Sequence, residues 1–154
     1  MQDIKELQKF ALQVKLGALT ATKARGFGHV GGSLSASEAI GVLYGAIMNV
    51  DPQNPDKPDR DKFVCSKGHA GPAVYGALAY KGFFPVEDLK TLNQPGTKLP
   101  SHCDKHLVGI DATTGSLGQG TSQAVGIALG DKLQGYNSKT YVLVGDGELD
   151  EGQC

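Results

Sequence analysis

Three histidines stand in segments of this sequence where side chains are commonly presented to ligands. His29, His69 and His102 each lie in a stretch marked by glycine or proline, which is typical of loops that carry function. An imidazole can donate or accept a proton near neutral pH, since its ordinary pKa is about 6.5. We therefore take these histidines as candidates for proton transfer and ligand binding, although most histidines in proteins are surface or structural residues.

The segment GDGELDEGQ, residues 145–153, directly follows an apolar run. Gly145 and Gly147 flank Asp146, so the backbone can approach a ligand closely while the carboxylate offers the hard oxygen that Mg²⁺ prefers. A diphosphate carried by Mg²⁺ would suit this segment. A simple turn with a solvated aspartate explains the tripeptide equally well.

The segment TTGSLGQG, residues 113–120, is a second glycine-rich candidate. Gly115, Gly118 and Gly120 precede a predicted helix, where unpaired amides and the helix dipole can meet a phosphate or a flat ring. Close packing of the helix against a neighbour is the alternative explanation for these glycines.

The segment GFGHVGGS, residues 26–33, contains the spacing G-x-G-x-x-G of a dinucleotide-binding turn. That fingerprint needs a strand before it, whereas residues 2–25 have a helical pattern, so we reject a Rossmann site. What remains is His29 in a flexible glycine loop. Two pairs, Cys65 with His69 and Cys103 with His106, match no common zinc spacing, and we expect no zinc.

The first half of the chain predicts two helices and a turn-rich connection. Apolar residues recur every three or four positions from Ile4 to near Arg25, which predicts an amphipathic helix. Ser35 and Glu38 have the S-x-x-E spacing of a capping box, which predicts the start of a second helix. Prolines and aspartates over residues 51–61 predict an exposed connection.

The second half predicts strands that alternate with helices. Residues 63–66 form a short apolar run, and residues 70–80 behind it have a helical pattern. A short helix is predicted over residues 85–92, and a longer one follows the glycines of residues 113–120. Residues 140–144, TYVLV, give the clearest strand.

This alternation predicts an α/β protein with a parallel sheet and helices on both faces, in which ligands sit beyond the carboxyl ends of the strands. No repeat or linker divides the chain, so we expect residues 1–154 to form one domain. Two parallel strands are too few for a stable sheet. We therefore expect the domain to be truncated at its C-terminus, with further strands beyond Cys154.

The composition restricts the partners and the compartment. The 15 basic and 16 acidic residues give a formal charge of −1, so no bulk positive field is available for nucleic acid or an anionic membrane. No apolar run approaches the ~20 residues that span a bilayer, and the first ten residues lack a signal-peptide core. Three cysteines without paired spacing predict reduced thiols. We expect a cytoplasmic protein.

Five segments in this order resemble the successive motifs of the N-terminal, thiamine diphosphate-binding domain of transketolases. The match extends from about Ala18 to the end of the chain, and GHVGGSLSASEAIGVLY is especially similar to split transketolases, in which a second polypeptide carries the remaining domains. The five segments are GHVGGSLS, SKGHA, LPSHCD, TTGSLGQG and GDGELDEGQ.

The resemblance implies a transferase that moves a two-carbon ketol unit from a ketose phosphate to an aldose phosphate. It implies that His29 and His102 are catalytic residues facing the sugar, and that His69 contacts the cofactor diphosphate. Asp146 would bind Mg²⁺ or Ca²⁺, and Gly147 would donate its amide to the diphosphate.

The resemblance also implies that Gly115, Ser116 and Leu117 line the thiamine diphosphate and that Glu151 belongs to a carboxylate network at the subunit interface. The family's second metal ligand and its activating glutamate have no counterpart up to Cys154. We therefore expect a partner, the C-terminal transketolase subunit, in a homo- or hetero-oligomer, and no turnover by the isolated chain. A catalytically silent assembly domain and a related thiamine diphosphate enzyme, such as a deoxyxylulose-phosphate synthase, remain alternatives.

Overall fold

The computed structural model describes residues 3–154 as two parallel strands with helices on both faces. Helices and strands alternate along the chain as the sequence predicts. The α-helices are α1 (Ile4–Arg25), α2 (Val30–Leu34), α3 (Ser37–Val42), α4 (Gly71–Lys81) and α5 (Gln119–Leu133), and the strands are β1 (Lys62–Cys65) and β2 (Thr140–Leu143). Shorter π- and 3₁₀-helical turns are Leu43–Ile47, Gly68–Ala70, Val86–Thr91 and Gly147–Asp150.

The first helix has the bounds that its apolar periodicity predicts. The Asp3 carboxylate accepts a hydrogen bond from the Lys5 amide at 3.0 Å, which satisfies one of the free donors at the helix start. Gly26 ends the helix in the left-handed conformation, with φ at 84°, which glycine adopts without a steric penalty.

The region after α1 differs from the prediction in two respects. The glycine segment around His29 is not a flexible loop, because residues 30–34 form α2 and His29 is the residue before its first turn. The predicted capping box is wrong, since Ser35 has a right-handed helical backbone and its hydroxyl donates to the Gly32 carbonyl at 3.2 Å. The chain passes almost without interruption from α2 into α3, so Ser35 has no free helix start to cap. Glu38 instead pairs with Lys15 of α1.

The two predicted strands pair in parallel, with Val64 opposite Val142. The start of β1 is fixed by Asp111, whose carboxylate accepts from the Phe63 amide at 2.7 Å and binds Arg60 at 2.6 Å. Parallel pairing places the carboxyl ends of both strands at the same edge of the sheet, where the segments that follow them can meet.

One face of the sheet is covered by α1 and α4, which cross closely. A Cβ atom on Gly17 would lie 2.7 Å from the Gly76 Cα atom, so the two backbones touch where both residues lack a side chain. Phe63 and Cys65 point into this layer together with the buried side chains Val14 and Leu78.

The opposite face carries α5, which confirms helices on both faces. The apolar cluster there is small, since it consists of the buried residues Val64, Ala112 and Ala124 with the partly buried Ile127 packed against them. The short helix predicted at residues 85–92 is the 3₁₀ turn Val86–Thr91. Within residues 3–154, no helix combines the length and apolar character that crossing a bilayer needs.

Candidate functional site

The carboxyl ends of β1 and β2 bring two of the predicted segments together. The Lys67 amide donates to the Leu143 carbonyl at 3.0 Å, which carries the strand pairing one step beyond the sheet. Gly145 lies two residues after Leu143, and a Cβ atom on it would lie 3.7 Å from the Lys67 side chain. The segment that contains His69 therefore runs beside the one that contains Asp146.

A buried carboxylate, Glu148, joins this edge to the glycine-rich entry of α5. Its Oε1 atom accepts hydrogen bonds from the Ser66 hydroxyl at 2.5 Å and the Gly118 amide at 2.8 Å, and its Oε2 atom accepts from the Gly145 amide at 2.9 Å. Only 2% of Glu148 is exposed. The two glycine segments that the sequence singled out separately thus converge on one side chain.

These hydrogen bonds also set the charge of Glu148. Burial alone would raise the pKa of this carboxyl, but the three donors outweigh it and hold the pKa below its ordinary value of 4.5. Glu148 is therefore an anion at neutral pH. Sequence reasoning missed this residue, because nothing in a segment with four acidic side chains distinguishes the one that folds inward.

The three candidate histidines form one cluster at the same edge. The ring centroid of His29 lies 5.7 Å from that of His69 and 5.5 Å from that of His102. His29 is exposed, whereas the other two are half-buried. The cluster depends on glycines, since a side chain at Gly32 would overlap the His69 ring and one at Gly68 would lie 2.7 Å from the Gly115 backbone.

The half-buried histidines favour the neutral imidazole. Desolvation lowers the pKa of His69 below 6.5, and the positive charge of Lys67 lowers it further. Desolvation also lowers the pKa of His102, with a smaller effect from His29. At neutral pH both rings can accept a proton or a hydrogen bond.

The predicted cofactor loop, residues 115–117, lies against this cluster. The Thr114 amide donates to the Cys103 carbonyl at 3.0 Å, and this bond ties the loop to the segment that carries His102. A Cβ atom on Gly115 would lie 3.6 Å from the His102 ring. Ser116 and Leu117 are exposed beside it and available to a ligand.

The remaining predicted residues, Asp146, Gly147 and Glu151, are close to Glu148 in the chain but are exposed. Asp146 and Gly147 are exposed, and a Cβ atom on Gly147 would meet nothing within 4 Å, so this turn is open to solvent. Glu151 is also exposed, and its Cβ atom lies 3.2 Å from the position of a Cβ atom on Gly118. The structure therefore brings all nine predicted residues to one edge of the sheet.

The fourth histidine is separate from this site. His106 is exposed, and its Nδ1 atom lies 2.6 Å from the Asp104 carboxylate. Cys65 and Cys103 are buried free thiols, and Cys154 is an exposed one. In the described part of the chain, no group of three or more histidine, cysteine or carboxylate side chains is placed to hold a metal ion.

The donors at this edge fit a ligand with a ring and a diphosphate. The Gly147 amide and the His69 ring can donate to phosphate oxygens, and the Asp146 carboxylate is free to share a divalent cation with them. Among residues 3–154, the buried hydroxyls of Ser33 and Thr114 have no hydrogen-bond partner. Thr114 precedes Gly115, and Ser33 follows Gly32, which packs on the His69 ring.

Comparison with known proteins identifies the family. A family model described as "Transketolase, thiamine diphosphate binding domain" matches residues 7–154. The 6-deoxy-6-sulfo-D-fructose transketolase subunit SqwG of Clostridium sp. (strain MSTE9) is 54% identical over 149 residues, which are 96% of this chain and 54% of that protein. An apulose-4-phosphate transketolase subunit of Actinobacillus succinogenes is 41% identical and is likewise covered over 54% of its length. The chain thus spans about half the length of these curated relatives.

Solved structures give the same result. Transketolase from Leishmania mexicana superposes with a TM-score of 0.88 at 35% identity, covering 95% of this chain and 24% of that one. Transketolase from Campylobacter jejuni superposes with a TM-score of 0.89 at 32% identity, covering 98% of this chain and 25% of that one.

Proposed function

Because the chain belongs to the transketolase thiamine diphosphate-binding domain family, we propose that it is the cofactor-binding part of an enzyme that transfers two-carbon ketol units between sugars. The observation that carries the proposal is the convergence at Glu148 of the α5 entry and the Gly145 segment. A single ligand can reach both segments and the histidine cluster only because they share this edge.

The exposed groups divide into a ring side and a phosphate side. We assign Gly115, Ser116 and Leu117 to the cofactor rings, since this loop offers backbone and an apolar side chain beside His102. We assign the Gly147 amide and His69 to the diphosphate. Asp146 would then hold Mg²⁺ or Ca²⁺ against the same phosphates.

We assign the two remaining histidines to the sugar substrate. His29 and His102 would bind the sugar hydroxyls and move protons to and from them. Burial lowers the pKa of His102, so this ring can accept a proton near pH 7. Bound thiamine diphosphate supplies the electron sink for breaking and making the carbon–carbon bond. The contribution of this chain is to orient the cofactor and place the proton acceptors.

The sugar donor in this proposal carries an anionic group. One relative is named for a sulfonated ketose and another for a phosphorylated sugar. We therefore propose a phosphorylated or sulfonated ketose as donor and an aldose phosphate as acceptor. Parallel assays with fructose 6-phosphate and 6-deoxy-6-sulfofructose would separate the two donors.

A partner completes the enzyme in this proposal. Both curated relatives are named as subunits and are about twice as long as the region matched here. We propose that a C-terminal transketolase subunit binds this chain in a homo- or hetero-oligomer, with the exposed Glu151 at the interface, and that the complex works in the cytoplasm.

Calorimetric titration with thiamine diphosphate and Mg²⁺, followed by a coupled ketol-transfer assay, tests the proposal. The complex with the partner subunit should bind the cofactor in a Mg²⁺-dependent manner and transfer ketol units, whereas the 154-residue chain should bind weakly and show no turnover. Thiamine without the diphosphate is the matched control. Absence of cofactor binding by the complex would favour a silent assembly domain, and consumption of a keto acid in place of a ketose would indicate a different thiamine diphosphate enzyme.

A further inference from the structure

Glu148 is a buried anion that contacts two glycine loops and no open space. Its two carboxylate oxygens accept three hydrogen bonds, from Ser66 Oγ and from the amides of Gly118 and Gly145. These donors come from three separate parts of the chain: the end of β1, the entry of α5 and the segment after β2. The Glu148 side chain is thus enclosed by protein, and its hydrogen bonds join the two loops.

We propose that Glu148 is a positioning residue. It fixes the ring-side loop, residues 115–118, relative to the phosphate-side loop, residues 145–147, before the cofactor binds. The inference rests on the proposed function, because it concerns the same site. Gly118 ends the turn that presents Leu117, and Gly145 begins the turn that presents Asp146 and Gly147. One carboxylate holding both amides sets the span between the two groups of cofactor contacts.

The same contact decides which loop takes the phosphates. Gly118 is the residue before the first turn of α5, where the helix dipole favours an anion. The Glu148 carboxylate already accepts from the Gly118 amide, so this donor is not available to a phosphate. The diphosphate is thereby left to the exposed turn of Asp146 and Gly147, and the α5 entry to the ring.

A ligand that spans both loops should be more sensitive to Glu148 than one that touches a single loop. Thiamine diphosphate spans both, whereas inorganic pyrophosphate occupies the phosphate side alone. Replacing Glu148 by glutamine keeps the size of the side chain but puts an amino group, which cannot accept, at one of the two oxygen positions. At least one of the two loops is then released.

The test compares wild type, Glu148→Gln and the control Asp150→Asn in the complex with the partner subunit. Asp150 lies in the same turn and undergoes the same carboxylate-to-amide change, but it is exposed. In Glu148→Gln, we expect the Kd for thiamine diphosphate with Mg²⁺ to rise about 10- to 100-fold, as for other supporting residues of cofactor sites. The Kd for Mg²⁺-pyrophosphate should change less than about threefold, and Asp150→Asn should resemble wild type.

Amide hydrogen exchange without cofactor supplies an independent readout. The Gly118 and Gly145 amides should exchange faster in Glu148→Gln, while amides in α1 and α4 keep their protection. If Glu148→Gln folds poorly, Ser66→Ala is the second variant, because it removes one donor and leaves the carboxylate in place. It should lower the affinity for thiamine diphosphate by a smaller factor and again affect pyrophosphate less.

The outcomes separate this inference from the proposed function. The positioning role would be overturned if Glu148→Gln raised the Kd of thiamine diphosphate and of pyrophosphate equally. It would also be overturned if the Kd of thiamine diphosphate stayed unchanged or fell. Each of these results would leave the proposed cofactor site intact. Failure of the wild-type complex to bind either ligand would overturn the proposed function, and the role of Glu148 would fall with it.

Discussion

The two faces of the sheet are covered very differently although each carries helices. On one face, α1 and α4 meet across paired glycines and enclose a continuous apolar layer in which Leu78 is fully buried. On the other face, α5 buries Ala124 but leaves Val125, Leu129 and Leu133 exposed at 69%, 54% and 79%. The stability of residues 3–154 therefore comes mainly from one side of the sheet, while the candidate site at its edge is built from segments of both sides.

Shortening one leucine on each face is the strongest test of whether the two faces are packed unequally. Leu78→Ala should lower the free energy of unfolding by about 2–5 kcal/mol, because it leaves a cavity in a packed layer. Leu129→Ala should change it by less than about 0.5 kcal/mol, since Leu129 is already 54% exposed. Urea unfolding of both variants measures the difference, and equal losses would show that α5 is as well packed as α4.

The unequal coverage is also where sequence reasoning reached its limit. The periodicity of α1 and the apolar runs of the strands predicted those elements closely, because local pattern and burial agree there. The apolar residues of α5 predicted a helix correctly but gave no sign that Leu129 and Leu133 are exposed. The sequence pattern shows which residues are apolar, whereas tertiary packing determines which of them are buried.

The candidate site divides in the same way. The histidines and glycines were predictable one by one, since each has a residue type suited to chemistry in a loop. Their convergence through Glu148 could not be predicted, because it depends on contacts between residues up to 82 positions apart. The capping box at Ser35 was wrong because the backbone runs on from α2 into α3.

Two glycines of α5 sharpen the comparison within a single helix. A Cβ atom on Gly120 would lie 2.6 Å from the Ser66 Cα atom, whereas one on Gly126 would meet nothing within 4 Å. Gly120→Ala should therefore cost about 1–3 kcal/mol through overpacking against the site. Gly126→Ala should stabilise the protein by about 0.5–1 kcal/mol, because alanine loses less backbone entropy in a helix.

Thermal unfolding of this pair reports the sign of each change. The same substitution in the same helix serves as its own control, so a difference in helix propensity cannot explain opposite signs. Destabilisation by Gly126→Ala would mean that α5 has a neighbour at its open face, and a neutral Gly120→Ala would mean that α5 is not held against β1.

The smallest expected effect concerns the histidines, which border the covered face. His69 and His102 should titrate below pH 6.5 because burial disfavours the imidazolium, so each contributes stability above its unfolded pKa that is lost as the pH falls through the folded value. Lys67→Met should raise the pKa of His69 toward 6.5 and leave that of His102 unchanged. Titration of the ring protons by NMR measures both pKa values, and values at or above 6.5 would contradict the desolvation.

The central claim is that the α5 entry, the segment after β2 and the histidine cluster form one cofactor site. Hydrogen exchange of the complex with the partner subunit, with and without thiamine diphosphate and Mg²⁺, tests it most directly. We predict new protection in residues 28–33, 66–69, 113–118 and 145–148 together, appearing only when both cofactor and metal are present. Protection confined to one of these segments, or found only around the separate groove lined by Phe83 and His106, would contradict the account.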